Sequence, residues 1–428
     1  MRKLLLSIVL TTRLFAQSSA EVNAGIQFNF ASPGARSLAR GGAFIADASD
    51  ATAAYANPAG LVNLPAREFS IELRSSDFAH SYTDRGHAFG PPSNEGTDTI
   101  AGLQRGTSEN RVNNIAFTSV VIPRRNFAIA AYRHELANFD VSARTQGAFF
   151  DLFFPGEEEP VSLRHYPAIS SLRLRLTGIG VAAGVRLTSR LSVGGGVRGN
   201  QSEVDSITER FRSEGFYGPP DYTMRDNVQT QRGHGTSYSI NAGVLFDVTR
   251  TLSIGGSYRQ GYSFPVTVTY ADTEPRKRDT ARFNVPSFYG LGLSLRPKRD
   301  WSIALDVNHI TYSDLARDFV LLFEEEPRYF VPDGLEIRFG SEVILTRDRV
   351  PRLPFPVALS IGAWRDPDHS VRVADPTDSQ SVLFRRDSDD YHVSFGVGML
   401  FDTHAQVHAA VDRSSRQTVV SISAMTRF

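Results

Sequence analysis

The chain has 428 residues, 41% of them apolar, and its 46 basic residues balance 46 acidic ones. With no net charge, a general electrostatic attraction to nucleic acid is excluded, and we expect no nucleic-acid partner. Cysteine is absent, which excludes disulfides, thiolate metal sites and thiol nucleophiles. The pattern of apolar residues therefore carries most of the information.

The first twenty residues have the layout of a secretory signal. Arg2 and Lys3 precede the apolar run 4–10, and small residues close the segment. A basic start, a short apolar core and a small-residue cleavage site characterise signal peptides. We therefore predict a signal peptide over residues 1–20 and an exported mature protein.

Downstream, apolar residues recur at every second position over long segments. In 238–248, YSINAGVLFDV, Tyr238, Ile240 and Val244 share one face, while the other face is small or polar. Strands of about ten residues or more suit a membrane barrel better than a soluble sheet. The segment after the next turn repeats the pattern, with one apolar face formed by Leu252, Ile254, Tyr258, Tyr262 and Phe264.

Short and long connections alternate along the same region. We count about fourteen strands between 66 and 428, an even number as bacterial single-chain barrels have. The sequence therefore predicts an all-β fold, a transmembrane antiparallel β-barrel with short turns on one side and long outer loops on the other. The long loops are expected at 139–164, 209–232, 271–280 and 314–332.

One predicted strand, 168–187, changes the parity of its apolar residues. Leu172, Leu174 and Leu176 share one parity, whereas Ile179 and Val181 have the other. If all of them face lipid, an extra residue must be inserted between the two sets. We therefore predict a β-bulge at Thr177 and Gly178, where glycine would allow a distorted backbone.

The region before the first strand is rich in small residues. Segment 34–64, GARSLARGGAFIADASDATAAYANPAGLVNL, contains Asn57, Pro58, Ala59 and Gly60. It resembles the N-terminal plug of the outer-membrane long-chain fatty-acid and aromatic-hydrocarbon transporter (FadL/TodX) family. Fragments such as VPSFYGLGLSL are similar too. The resemblance implies a plug over 21–65 inside the barrel lumen, with Asn57 to Gly60 as its motif; a simple turn into the first strand is the alternative.

The resemblance also implies a function. It predicts an outer-membrane protein of a Gram-negative-type bacterium that admits hydrophobic small molecules, such as fatty acids or hydrocarbons, passively and releases them sideways through the wall. Its other partners would be outer-membrane lipids and lipopolysaccharide, and the chain would be a monomer. The alternative is a barrel of the same fold that serves as an envelope scaffold or secretion partner.

An outer loop supplies candidate capture residues. In GAFFDLFFPG, five apolar side chains lie close together within a loop, and an apolar patch there is either packed or binds something. Ligand contact and internal loop packing remain equal alternatives. The candidate residues are Phe149, Phe150, Leu152, Phe153 and Phe154.

Enzymatic signatures are weak. Gly194, Gly196 and Gly199 satisfy G-x-G-x-x-G, but no helix is expected after them, so a dinucleotide site is disfavoured. The acidic runs 157–159 and 324–326 suit solvated loops better than cation sites. We expect no catalytic residues, no metal and no cofactor. The facing directions further predict that Asn57 bonds a wall charge such as Arg338 or Glu336.

Overall fold

A computed structural model of the chain describes residues 28, 30–152, 161–165, 167–270, 278–317, 329–375, 388–401 and 404–428. The predicted signal peptide, Phe153, Phe154 and both acidic runs lie outside these residues. The described chain consists of a short helical segment followed by a large sheet.

The sheet is a closed antiparallel barrel of fourteen strands, as predicted. It closes because the first strand pairs with both the second and the last. In chain order the strands are β1 (Glu68–His87), β2 (Gly102–Pro123), β3 (Phe127–Thr145), β4 (Phe149–Leu152), β5 (Val161–Arg164), β6 (Ala168–Arg186), β7 (Leu191–Ser213), β8 (Pro220–Asp247), β9 (Leu252–Arg259), β10 (Tyr262–Tyr270), β11 (Arg278–Val285), β12 (Phe288–Lys298), β13 (Trp301–Ile310), β14 (Tyr329–Phe330), β15 (Gly334–Leu345), β16 (Val357–Asp366), β17 (Arg372–Val373), β18 (Asp390–Phe401), β19 (Ala405–Arg413) and β20 (Gln417–Arg427).

Some of these elements need a comment. β9 with β10, and β11 with β12, each follow one another along one barrel strand. β4 and β5 form a small hairpin in the loop after β3, and β14 pairs with β17 in a separate two-stranded sheet. We call the end of the barrel with the short connections the turn side and the opposite end the loop side.

The helical segment precedes β1 and lies inside the barrel. It contains α1 (Ala35–Ala39), α2 (Ala53–Ala56) and a 3-10 helix at Pro58–Asn63; a second 3-10 helix, Tyr312–Ala316, lies in a loop. None of the described helices is long and apolar enough to cross a membrane. We call the described residues 30–64 the plug, because nearly all of them are buried within the wall.

The outer surface of the wall is apolar. On most strands buried and exposed residues alternate; outward positions are mostly large and apolar, and inward positions in the turn-side half are mostly small or polar. A closed sheet with such an outer face is a form in which strands can cross a membrane. Exposed outward residues include Leu73, Ile129, Val181, Val197, Ile240, Ile254, Leu291, Leu305, Ile337, Leu359, Phe395 and Ile422, with Tyr238, Tyr289, Tyr391 and Phe428 among the aromatic ones.

The predicted bulge at Thr177 and Gly178 is wrong. β6 pairs with β7 without a register shift, and its burial alternates regularly, with Leu172, Leu174 and Leu176 completely buried in the lumen. The parity of the apolar residues changes because Leu172, Leu174 and Leu176 face the lumen, whereas Ile179 and Val181 face lipid. A bulge does occur opposite this point, at Leu136 of β3.

Two further predictions need correction. Tyr262 and Phe264 do not share the lipid face of Ile254, because the strand is interrupted between Arg259 and Tyr262 and both aromatic residues turn inward. The predicted loop 209–232 is mostly strand, since β7 and β8 extend far beyond the turn-side half and leave only 214–219 between them. The first difference adds apolar side chains to the lumen, and the second extends the wall on the loop side.

Candidate functional site

The plug is held by side chains of the wall that bond its backbone. Asp306 accepts the N–H groups of Phe44 at 2.7 Å and Ile45 at 3.0 Å. Glu72 accepts the N–H of Gly34 at 2.8 Å, and Ser257 donates to the carbonyl of Ala56 at 2.7 Å. Buried backbone groups need such partners, so the polar inner face of the strands completes the plug.

Glycines of the wall let the plug approach closely. A Cβ atom on Gly243 would lie 1.9 Å from Asn57 Oδ1, and one on Gly194 would lie 2.4 Å from the carbonyl carbon of Pro58. Real Cβ atoms do not come this close to other heavy atoms. The glycines that resembled a nucleotide motif in the sequence thus include one that seats the plug.

Asn57 does contact the wall, but not through Arg338 or Glu336. Its amide donates to the carbonyl of Ile45 at 2.9 Å and to the carbonyl of Val244 at 3.1 Å. Its side-chain oxygen accepts the N–H of Ala59 at 3.2 Å and so caps the 3-10 helix. The prediction failed because facing direction cannot distinguish a backbone carbonyl from a nearby charge.

Ion pairs reinforce the plug. Arg36 lies 2.7 Å from Glu342 of the wall, and Arg40 lies 2.7 Å from Asp47 within the plug. Burial alone would raise the pKa of the Asp47 carboxyl, but the charges of Arg40, Arg36 and Arg296 outweigh it and hold that pKa below its usual range. Asp47 is therefore ionised at neutral pH and ties the plug to the wall through Arg296.

Above the plug, the inward face of the wall becomes apolar. We call this set the apolar layer; all its side chains are buried, and Phe30 of the plug packs against it. The layer crosses several strands, so it forms a continuous apolar lining rather than a local patch. Its wall members include Phe139, Val141, Leu172, Leu174, Leu176, Val204, Phe264, Val266, Val268, Phe283, Val285 and Phe288.

The wall is interrupted between β2 and β3. These strands pair only from Phe117 and His134 to Pro123 and Ala128. Towards the loop side, β2 pairs with β1 and β3 pairs with β6, but the edges 102–116 of β2 and 135–145 of β3 do not pair with each other. We call these two facing edges the seam.

Bulges and side chains shape the seam. Ala116 in β2 and Leu136 in β3 are each skipped in the strand register where the pairing ends. The amide of Asn114 donates to the Glu135 carboxylate, and Asn110 donates to the carbonyl of Asp140. These side-chain bonds can break without opening the rest of the sheet, because the backbone ladder is already absent there.

A cavity of about 70 Å³ lies directly behind the seam. It is lined by both seam edges, including Asn114, Ala116, Glu135 and Leu136, and reaches the plug at Leu38. Part of its lining is apolar and part is charged, the charged side chains being Arg74, Glu135, Glu336, Arg338, Asp366 and Asp412. The lumen beside the plug thus has a lateral boundary formed by the seam.

The predicted capture residues divide between two environments. Phe149 is 1% exposed and stacks on Tyr217 of the loop between β7 and β8, with ring centroids 5.6 Å apart. Phe150 is 3% exposed and belongs to the apolar layer. Leu152 ends β4, while Phe153 and Phe154 lie outside the described residues. A binding role for this set stays a prediction.

A closed wall with an apolar outer belt and a plug-filled lumen defines an outer-membrane β-barrel with an internal plug. The fold is shared with a FadL homologue of Pseudomonas aeruginosa (TM-score 0.63, 13% identity, 94% of this chain and 99% of that one). It is shared with the toluene transporter TbuX of Ralstonia pickettii (TM-score 0.59, 14% identity, 94% and 99%) and TodX of P. putida (0.55, 14%, 94% and 99%). No protein-family model and no curated protein matches the sequence.

Sequence reasoning missed the seam and the apolar layer. The signal was present as parity changes: Leu172 to Leu176 have the parity of the lumen face, and Phe139 and Val141 follow a bulge that shifts the parity of β3. A parity change read as a change of environment, rather than as a local defect, would have identified the inward-facing residues. The end of the β2 and β3 pairing leaves no comparable trace in the sequence.

Proposed function

We propose that the chain admits hydrophobic small molecules through the outer membrane and releases them sideways through the seam. The observation that carries this proposal is the unpaired seam, with a cavity behind it that adjoins the plug. A fully paired barrel wall would offer no lateral path, since its backbone ladder would have to break. To open the seam, only side-chain hydrogen bonds have to break.

The apolar layer supports the same path. A hydrophobic molecule entering from the loop side would meet Phe264, Leu174 and Phe139 before it reaches the plug. The plug fills the turn-side half of the lumen, so a straight aqueous route is blocked there. The similar fold of two toluene transporters is consistent with this proposal.

The experiment compares dye uptake by bacteria with an intact lipopolysaccharide leaflet, with and without the protein in their outer membrane. The probe is N-phenyl-1-naphthylamine, an uncharged hydrophobic dye that fluoresces in lipid. We expect faster uptake with the wild-type protein and no faster entry of a polar dye of similar size. Equal probe uptake with and without the protein would refute transport and favour an envelope-scaffold role.

A further inference from the structure

Acidic side chains outnumber basic ones in the lining of the cavity behind the seam. Two arginines, Arg74 and Arg338, line it, against the four carboxylates of Glu135, Glu336, Asp366 and Asp412. Facing them are apolar side chains, including Leu38 and Leu136. The charged part of the lining decides which polar group a bound hydrophobe can carry.

Both arginines are already engaged. Arg74 Nη2 lies 2.6 Å from Glu72 Oε1, and Arg338 Nε lies 2.8 Å from Glu336 Oε2. Arg338 also donates to the carbonyl of Gly41 at 2.9 Å and lies over the Trp364 ring at 3.8 Å. Recognition of a carboxylate uses an arginine fork that is free to bond it. Arg74 and Arg338 could bind a ligand carboxylate in this way only by releasing Glu72 or Glu336.

Acceptors, by contrast, remain available. Asp366 Oδ1 is buried without a hydrogen bond, and His369 Nδ1 lies 3.8 Å from it. Asn114 Oδ1, on the seam edge, is also buried without a hydrogen bond. Leaving such acceptors unpaired is unfavourable, so a ligand that donates to them gains affinity that a ligand without a donor lacks.

We propose that the cavity binds an uncharged hydrophobic molecule bearing a hydrogen-bond donor, such as a hydroxyl group, and excludes the corresponding carboxylate. The inference rests on the proposed function and specifies the substrate class for the same path. The hydroxyl donates to Asp366 or Asn114, while the apolar body packs on Leu38 and Leu136. A carboxylate at this position would meet like charges and two acceptors that it cannot bond.

The test uses Trp364 as an internal reporter. The chain has two tryptophans, and the other, Trp301, is on the outer face, so Trp301→Phe leaves one reporter that lines the cavity. The purified barrel is titrated with benzyl alcohol, benzoate and toluene at neutral pH. We expect benzyl alcohol to change Trp364 fluorescence at a concentration at least about tenfold below that needed with benzoate, and toluene to act between them.

A charge variant sharpens the test. Asp366→Asn with Glu135→Gln removes two carboxyl groups from the lining and should reduce the preference for benzyl alcohol over benzoate severalfold. Asp205→Asn, on the outer surface of β7, is the matched control and should leave the preference unchanged. The ligand series on the Trp301→Phe protein decides the question even if the charge variant fails to assemble.

The outcomes separate the two proposals. If benzoate binds as tightly as benzyl alcohol while the hydrophobic dye is still taken up, the substrate class is wrong and transport stands. If none of the three ligands changes Trp364 fluorescence but dye uptake is intact, the cavity is not the binding site. If dye uptake is also absent, the transport proposal fails, and the inference fails with it.

Discussion

The turn-side and loop-side halves of the lumen are lined by different kinds of side chain. In the turn-side half, glycines and polar side chains of the wall bond the backbone of a plug made of small residues. In the loop-side half, large apolar side chains of the wall pack on one another, and the wall itself is interrupted at the seam. The first half is filled by the plug, and the second is lined by apolar side chains.

Under the proposed function, this difference would let one wall block water and still pass a hydrophobic molecule. Hydrogen bonds and ion pairs hold the plug in register because they are directional. Apolar contacts are non-directional, so a hydrophobic molecule can replace some of them at little loss. The two halves meet near the bulge at Leu136, where the seam also begins.

The largest expected effect comes from adding a side chain at a wall glycine against which the plug packs in the turn-side half. Gly243→Val places side-chain atoms where Asn57 and Pro58 now lie, so the plug cannot dock. The barrel should still assemble, because valine is favourable in strands. We expect a severalfold or larger rise in single-channel conductance in planar bilayers.

The matched control is Gly195→Val. Gly195 lies on the outward face of β7, and the atom nearest to a Cβ added there would be 3.5 Å away, at ordinary van der Waals distance. Conductance should stay at the wild-type level. If Gly243→Val also conducts like the wild type, the plug does not seal the lumen in the way its contacts indicate.

The next effect tests the apolar layer of the loop-side half. Leu174→Asn puts an amide among apolar side chains, where an unpaired polar group costs about 1–3 kcal/mol. We expect uptake of the hydrophobic dye to fall about tenfold, since about 1.4 kcal/mol is a factor of ten. Arg175→Asn, on the exposed face of the same strand, should change nothing. If both variants take up the dye equally well, the apolar layer is not part of the transport path.

A smaller effect is expected at the plug turn. Asn57→Ala removes the three hydrogen bonds to Ile45, Val244 and Ala59, each worth about 1 kcal/mol. The plug should loosen without leaving the barrel, so conductance should rise less than in Gly243→Val. Asn63→Ala, at the exposed end of the plug, removes a single bond, which it accepts from Arg186 of the wall at 2.7 Å, and is the comparison variant. If Asn57→Ala has the same conductance as Asn63→Ala, Asn57 only connects two parts of the chain and does not hold the plug.

The smallest effect concerns pH. Asp47 has a lowered pKa in the folded state, so its contribution to plug stability is present above the ordinary carboxyl pKa of about 3.9 and is lost as pH falls through the lower folded value. The difference in conductance between the wild type and Asp47→Asn should therefore stay constant between about pH 8 and pH 5. A rise already within that range in the wild type, absent from Asp47→Asn, would contradict this assignment.

Much of the fold could be predicted from alternation alone. Outward residues such as Ile240 and Leu291 repeat with period two because every second side chain meets lipid, and this gave the barrel and its strand number. Inward positions were harder, since a lumen can be polar, glycine-lined or apolar at different depths. Alternation alone therefore predicts a lipid-facing position for Leu172 and Phe264, although both are buried in the lumen.

The candidate site depended on contacts between distant segments. The role of Asn57 requires the position of the Val244 carbonyl, and the seam requires knowing where the pairing of β2 and β3 stops. Neither follows from local sequence, because strand registers are set by the whole closed barrel. The resemblance of segment 34–64 to a plug predicts that the segment lies in the lumen. It does not predict which hydrogen bonds the segment makes there.

The most direct measurement of lateral release is a reversible cross-link across the seam. The chain has no cysteine, so Asn114→Cys with Glu135→Cys creates a single pair, at two residues whose side chains now bond each other. The control pair, Val120→Cys with Ala131→Cys, lies across the paired part of the same strands. We predict that oxidation stops dye uptake only in the seam variant and that a reductant restores it. Unchanged uptake in a fully cross-linked seam would show that hydrophobic molecules leave the barrel by another route.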